Sequence, residues 1–192
     1  MAEKDKKTRC FIALELSKEA KEELARIIDF LKDSGSDVKW VSPAGVHLTL
    51  KFLGYTDEEK IGRIALSLKE IAAGQKPFDV LLNAIGVFPG WSAARVLWVG
   101  VGEGADKVKT LAGEVASRMQ KEGFEEETRP FSAHLTLGRI RSGKNKDRLK
   151  ALAEKVDVRP ASSHIERIIL FKSDLTPQGA VYTPLEIVRF NV

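Results

Sequence analysis

His47-Leu48-Thr49-Leu50 recurs, residue for residue, as His134-Leu135-Thr136-Leu137. The chain holds three histidines in 192 residues, and two of them stand in these identical contexts. On a β-strand successive side chains point to opposite faces, so each histidine shares a face with its threonine while both leucines face the other way. Each copy therefore reads as a strand with one polar, proton-handling side and one apolar, core-facing side.

Outward from the first copy, Pro43-Ala44-Gly45 turns the chain into this strand, which is expected to run to about Tyr55. Val38-Lys39-Trp40-Val41 reads as a short strand before the turn, and Arg9-Cys10-Phe11-Ile12-Ala13-Leu14-Glu15-Leu16 as a first strand. Ser17 is placed to cap the helix between them, where Ala20, Leu24, Ile27, Ile28 and Leu31 repeat at helical spacing until Ser34-Gly35-Ser36 stops it. Past the first copy, Thr56-Asp57-Glu58-Glu59 has the form of a capping box, with Thr56 as the cap of a helix ending near Gly74. Phe78 to Val87 and Arg95 to Val101 are strand-like and separated by the turn residues Phe88-Pro89-Gly90. A helix follows, with Val108, Leu111, Ala112, Val115 and Met119 on one face and Gly123 at its end. Ser132 to Ile140 holds the second copy. A basic loop, Arg141-Ser142-Gly143-Lys144-Asn145-Lys146, leads to a shorter helix ending at about Val156. Ile165 to Ser173 and Val181 to Phe190 form an expected hairpin around Thr176-Pro177-Gln178-Gly179.

Several strands follow one another through short turns, which favours antiparallel pairing with helices laid on one side. The predicted class is α+β: two pseudo-two-fold-related, mainly antiparallel sheets in a bilobal arrangement, with helices on the outer faces and a central cleft. Each motif copy has a helix before it and another after it, and no linker separates the halves. Residues 1–192 are therefore read as a single bilobal domain.

Composition narrows the classes. Hydrophobic residues are 43% and charged residues 30%, a balance typical of a soluble globular chain. No stretch approaches the roughly 20 apolar residues of a membrane span. Met1-Ala2-Glu3-Lys4-Asp5-Lys6-Lys7 has no apolar run behind it long enough for a signal peptide, so no membrane partner and a cytoplasmic location are expected. Cys10 is the sole cysteine, which excludes an internal disulfide and a thiolate zinc cluster and reads as a buried structural thiol. A net charge of +4 permits an anionic substrate without demanding one. Asparagine and glutamine are scarce, at three each, a lean toward a thermophilic source.

The candidate site follows from residue type. A histidine titrates near pH 6.5, so one imidazole can accept a proton at neutral pH while a second donates one. Hydroxyls of Thr49 and Thr136 can bond phosphoryl oxygens that gain charge as a nucleophile arrives. In-line displacement at phosphorus needs a base and an acid on opposite sides, and two strands facing across a two-fold supply them. An inert duplicated strand is the plainer alternative, weakened by the identity of the copies. His164, in Ser162-Ser163-His164-Ile165 without a matching threonine, reads as a surface histidine. The histidines show no metal-ligand spacing, and Gly100-Val101-Gly102-Glu103-Gly104 lacks both nucleotide-loop fingerprints, so neither metal nor cofactor is expected.

The extended motifs, His47-Leu48-Thr49-Leu50-Lys51-Phe52-Leu53-Gly54 and Arg129-Pro130-Phe131-Ser132-Ala133-His134-Leu135-Thr136-Leu137-Gly138-Arg139, resemble those of the two-histidine phosphoesterases. Arg9, Phe11 to Leu14, Trp40, Ala94 to Gly100, and Ser173, Leu175, Gly179 and Tyr182 extend the resemblance to the RNA 2′,3′-cyclic phosphodiesterases, also called 2′-5′ RNA ligases. Ala133 departs from that branch, which usually has proline before the second histidine. The resemblance implies metal-free hydrolysis of an RNA terminal 2′,3′-cyclic phosphate to a 2′-phosphomonoester, with reversible 2′-5′ ligation as a side activity. It also implies His47 as proton donor, His134 as proton acceptor, and Thr49 and Thr136 as phosphoryl-binding groups. Arg139 is a candidate for substrate binding, although its spacing from His134 gives it opposite strand parity unless the chain twists or bulges. Tyr182 and Phe11 are candidate stacking or cleft-lining groups. Lys51, Arg95 and the loop Arg141–Lys146 are candidates to guide an RNA backbone. The expected partners are RNA ends or nucleotides bearing a 2′,3′-cyclic phosphate, met by a monomer. The alternatives are a non-catalytic RNA- or nucleotide-binding module, and a diesterase for small cyclic nucleotides or ADP-ribose cyclic phosphate.

Overall fold

A computed structural model describes residues 7–177 and 179–191, so Met1–Lys6 and Gln178 of the expected turn lie outside the described residues. Nine strands and four helices follow in the order β1 (Lys7–Leu14), α1 (Lys18–Lys32), β2 (Val38–Trp40), β3 (Leu48–Asp57), α2 (Glu58–Ala73), β4 (Phe78–Phe88), β5 (Val96–Val101), α3 (Ala105–Lys121), β6 (His134–Ile140), α4 (Lys146–Ala153), β7 (Ser162–Ile165), β8 (Arg167–Thr176) and β9 (Gly179–Arg189) among those residues. The strands form a four-stranded sheet, β3-β1-β8-β9, and a five-stranded sheet, β2-β6-β5-β4-β7. Every pairing is antiparallel.

The sheet orders match strand for strand. β3, β1, β8 and β9 in one correspond to β6, β5, β4 and β7 in the other, with β2 added at the second sheet's edge. The helices exchange sides. α1 leaves the four-stranded sheet but packs against β7 and α4, whereas α3 leaves the five-stranded sheet and packs against β3 and α2. This exchange binds the halves together, and one apolar cluster runs through all four helices and both sheets. In it lie the helical stripes expected from spacing, including Leu24, Ile27 and Leu31 on α1 and Val108, Leu111, Val115 and Met119 on α3. Leu48, Leu50, Leu135 and Leu137 of the two motifs join them. Fully burying one such leucine is worth roughly 1.5–3 kcal/mol, so the apolar side of each motif strand is strongly committed to the interior.

Three local expectations meet different outcomes. Ser17 caps α1, its Oγ accepting from Ala20 N at 3.1 Å and donating to Ser162 O at 2.7 Å. Thr56 does not cap α2. It stays in β3, buried, donating to Gly54 O, while Asp57 takes the cap position without a side-chain bond. Pairing of Thr56 with Thr8 extends the strand through the supposed box, so sheet hydrogen bonds outcompete a local cap. The strand expected from Ile165 to Ser173 is divided: Ile165 ends a separate strand, β7 (Ser162–Ile165), on the edge of β4, and β8 begins at Arg167.

Candidate active site

Both motif strands break register at the same point. In the β1–β3 pair Ala13 lies opposite Thr49 and Ile12 opposite Lys51, which leaves Leu50 as the extra residue. In the β5–β6 pair Trp98 lies opposite Thr136 and Leu97 opposite Gly138, leaving Leu137. Each strand thus bulges directly after its threonine, and a bulge reverses the alternation of faces beyond it. The consequence falls five residues past each histidine. Phe52 pairs with Phe11, and Arg139 pairs with Val96, so both rejoin the face that carries histidine and threonine. Arg139 therefore belongs to the motif face, and Phe52, 59% exposed, is its counterpart on the other sheet.

The same bulge turns Lys51 the other way. It pairs with Ile12, is 3% exposed, and donates to Glu125 O at 2.9 Å. A lysine spent inside on a backbone carbonyl is not available to an RNA backbone. Its part is to tie β3 to the segment that leads from α3 to the second histidine.

The histidines are held alike. His47 Nδ1 bonds Gly45 O at 2.9 Å, and His134 Nδ1 bonds Ser132 O at 2.8 Å, in both cases the carbonyl two residues earlier. A carbonyl only accepts, so Nδ1 must carry the hydrogen and Nε2 is left free to take or give a proton. Ala133, in place of the usual proline, is fixed through its own carbonyl, which accepts from Val101 N at 3.2 Å. The motif strands β3 and β6 adjoin between the two sheets.

Their surroundings differ. His47 sits among Phe171, Tyr182 and Phe11, with ring centroids 4.4, 5.5 and 6.1 Å away. Phe11 and Tyr182 thus gather at the first histidine, with Phe11 almost fully buried beneath it. Desolvation in this cage pushes the His47 imidazole below its ordinary 6.5, and the charge of Lys21 adds to that, against the Gly45 bond and Glu15. His134 instead meets Phe88 edge-on at 5.0 Å and Trp98 at 6.4 Å. The Trp98 indole lies over two glycines: a Cβ on Gly86 would come within 2.2 Å of its ring, and one on Gly100 within 3.3 Å. Its Nε1 is buried without a partner among the described residues, so contact rather than hydrogen bonding fixes the ring.

His164 lies apart, 60% exposed and bonded to Asp79 at 2.8 Å, and Cys10 is buried. No group of three His, Cys, Asp or Glu suited to a metal occurs among the described residues, and no helix among them is long and apolar enough to cross a membrane. Phe52, Phe88, Trp98 and Phe171 are the site-face residues that sequence reading missed. Phe52, within the extended first motif, and Trp98, within the resembling run Ala94 to Gly100, carried a local signal, whereas Phe88 and Phe171 did not.

Comparison with known proteins agrees with the duplicated geometry. The LigT like Phosphoesterase family profile matches twice, at residues 14–98 and 99–182. The chain is 35% identical to the RNA 2′,3′-cyclic phosphodiesterase of Methanothermobacter thermautotrophicus, covering 95% of this chain and 99% of that protein. It is 37% identical to the protein of the same name from Aquifex aeolicus, over 94% of this chain and 96% of that one. Among solved structures, TT0787 of Thermus thermophilus superposes with a TM-score of 0.78 at 26% identity, covering 95% of this chain and 97% of that one. E. coli LigT complexed with 3′-AMP gives 0.76 at 25% identity, over 97% and 100%. With both halves matched by one profile, and with two histidine strands equivalent under the pseudo-two-fold, this chain belongs to the LigT-like phosphoesterase family.

Proposed function

We propose that the chain, acting as one bilobal domain, hydrolyses the 2′,3′-cyclic phosphate at RNA ends to a 2′-phosphomonoester without a metal. The observation that carries this is the shared arrangement of His47 and His134. Two imidazoles at equivalent positions each have Nδ1 locked to a carbonyl and Nε2 free, and each shares a strand face with a threonine. His134 Nε2 takes a proton from water as the water oxygen bonds to phosphorus. The bond from phosphorus to the 3′ oxygen breaks, and His47 Nε2 delivers a proton to that oxygen. Thr49 and Thr136 hydroxyls hold the non-bridging oxygens as they gain charge. Phe52 and Arg139, two flat groups at equivalent positions of the two strands, fit the faces of a terminal base. Phe11 and Tyr182 line the His47 side. With a 5′-hydroxyl RNA end in place of water as the nucleophile, the same displacement of the 3′ oxygen joins strands through a 2′-5′ linkage, and its reverse cleaves that linkage. The reading takes the protein as a cytoplasmic monomer.

One observation favours the opposite polarity of the pair: burial keeps His47 neutral in the free protein, as a base should be. An arriving phosphate anion offsets that by favouring the imidazolium, and a proton held in a desolvated cage is released readily.

A substrate panel separates these readings. Cyclic-phosphate mononucleotide, a cyclic-phosphate-ended oligonucleotide and ADP-ribose cyclic phosphate are compared in the presence of chelator, with the position of the product phosphate determined. Turnover should persist in chelator and yield the 2′-phosphate. His47→Ala and His134→Ala should each cost at least about a hundredfold, and near wild-type turnover in either refutes the proposal. Replacing the bridging 3′ oxygen by sulfur removes the need for an acid, because a thiolate leaves unprotonated. The His47→Ala defect should then shrink while that of His134→Ala persists; the reverse outcome assigns the reverse polarity. Binding without turnover of any member would mark a binding module.

A further inference from the structure

On the motif face of the four-stranded sheet, β1 presents Arg9, Phe11 and Ala13 in turn, because alternate residues share a face. Phe11 stands against His47, and Arg9 lies one step beyond it, about 7 Å along the strand at the usual rise. Register places Arg9 opposite Tyr55 of β3, its guanidinium reaches across to Ser173 of β8, and Ser173 is itself opposite Tyr182 of β9. The row across the sheet is therefore Tyr55, Arg9, Ser173, Tyr182; it adjoins Phe11 and Phe171 of the His47 cage, and its Tyr182 end also packs against His47.

Among the described residues Arg9 is a cation without a counter-charge. Its guanidinium donates to Ser173 Oγ at 3.2 Å and pairs with no carboxylate among the described residues. Neighbouring cations are matched: Lys7 meets Asp57 at 3.3 Å, and Lys172 meets Asp174 at 3.1 Å. Arginine suits phosphate, since its planar fork supplies several donors that a single hydroxyl cannot occupy. Phe11 separates it from His47, so on the cyclic-phosphate reading it stands away from the reacting phosphorus that the histidines and threonines hold. The anion it can meet is the next one along a bound strand. Beside it the Tyr55 ring is 70% exposed, open for a base to stack on.

We infer that Arg9 binds the phosphodiester linking the terminal nucleotide to the one before it, with Tyr55 under the preceding base, so that this row selects RNA oligonucleotides over mononucleotides. The inference rests on the cyclic-phosphate reading above.

The test compares two dinucleotides ending in a 2′,3′-cyclic phosphate, one joined by a phosphodiester and one by a neutral methylphosphonate. The wild-type kcat/KM should favour the charged linkage by about tenfold or more, consistent with one charge-assisted hydrogen-bonded contact. In Arg9→Gln that ratio should fall to near one, and in Arg9→Lys it should be partly kept. Loss of one single-strand phosphate contact should also flatten the salt dependence of the charged substrate by about 0.7 in log–log slope. A purely structural Arg9 would slow both dinucleotides together and leave their ratio at the wild-type value, which overturns the inference. So does a wild-type protein indifferent to the linkage charge, a result that needs no variant to fold. If no cyclic phosphate is turned over at all, the hydrolytic reading fails by itself, and equilibrium binding of the same pair still decides Arg9.

Discussion

Gly86→Ala sets two opposite effects against each other at the second histidine. Gly86 is in β4, paired with Trp98, and its backbone is compatible with any residue of a strand. Removing a strand glycine should by itself stabilise the fold by about 0.4–1 kcal/mol, through a less flexible unfolded chain. Sterics oppose this. The added Cβ would stand 2.2, 2.3 and 2.8 Å from three indole atoms, where ordinary contact begins at 3.4 Å. The ring must therefore retreat by about 1.2 Å. Phe88, 4.9 Å away, and His134 limit its retreat. Overpacking of this kind costs about 1–3 kcal/mol, so destabilisation wins by roughly 1–2 kcal/mol. Because the displaced ring adjoins His134, a shift near 1 Å should also cost up to about a hundredfold in turnover. Urea unfolding and turnover of a cyclic-phosphate mononucleotide measure the two effects. Trp98→Leu supplies the control, since without the ring Gly86→Ala should become neutral or stabilising. A Gly86→Ala protein as stable as wild type, or one whose penalty is unchanged beside Trp98→Leu, would refute the reasoning.

Thr49→Val and Thr136→Val should lower turnover by about ten- to a thousandfold, as for lost donors to a developing oxyanion, with little change in unfolding midpoint; retained turnover would remove the threonines from the mechanism. An NMR titration of the free protein should place the His47 imidazole below 6.5, and Lys21→Gln should move it upward by removing a nearby positive charge. Since a depressed histidine binds fewer protons folded than unfolded, its cage favours the fold above pH 6.5 and loses that contribution as pH falls through it; His47→Gln should therefore soften the acid limb of the stability profile in urea unfolding. Ser17→Ala should destabilise the protein by about 0.5–2 kcal/mol, because it deletes both the cap of α1 and its bond to β7; an unchanged urea midpoint would contradict the capping role.

Much of this molecule is legible from local periodicity. The alternation His-Leu-Thr-Leu determined that each motif is a strand with leucines in the core, since side chains on extended backbone must alternate whatever the tertiary context. The 3.6-residue stripes of α1 and α3 determined which helical faces are buried, and the duplication itself announced a two-fold. What lies past each threonine did not follow. A bulge is chosen by pairing with a distant strand, and one extra residue reverses every face beyond it. Arg139 thereby joins the motif face that simple parity denied it, while Lys51, one residue before Phe52, goes inward to Glu125. Thr56 likewise obeys its partner Thr8 rather than its own capping signature. The aromatic cages that make the two histidines unlike are assembled from β1, β4, β5, β8 and β9, and only the folding of those distant strands onto one another brings them to a ring.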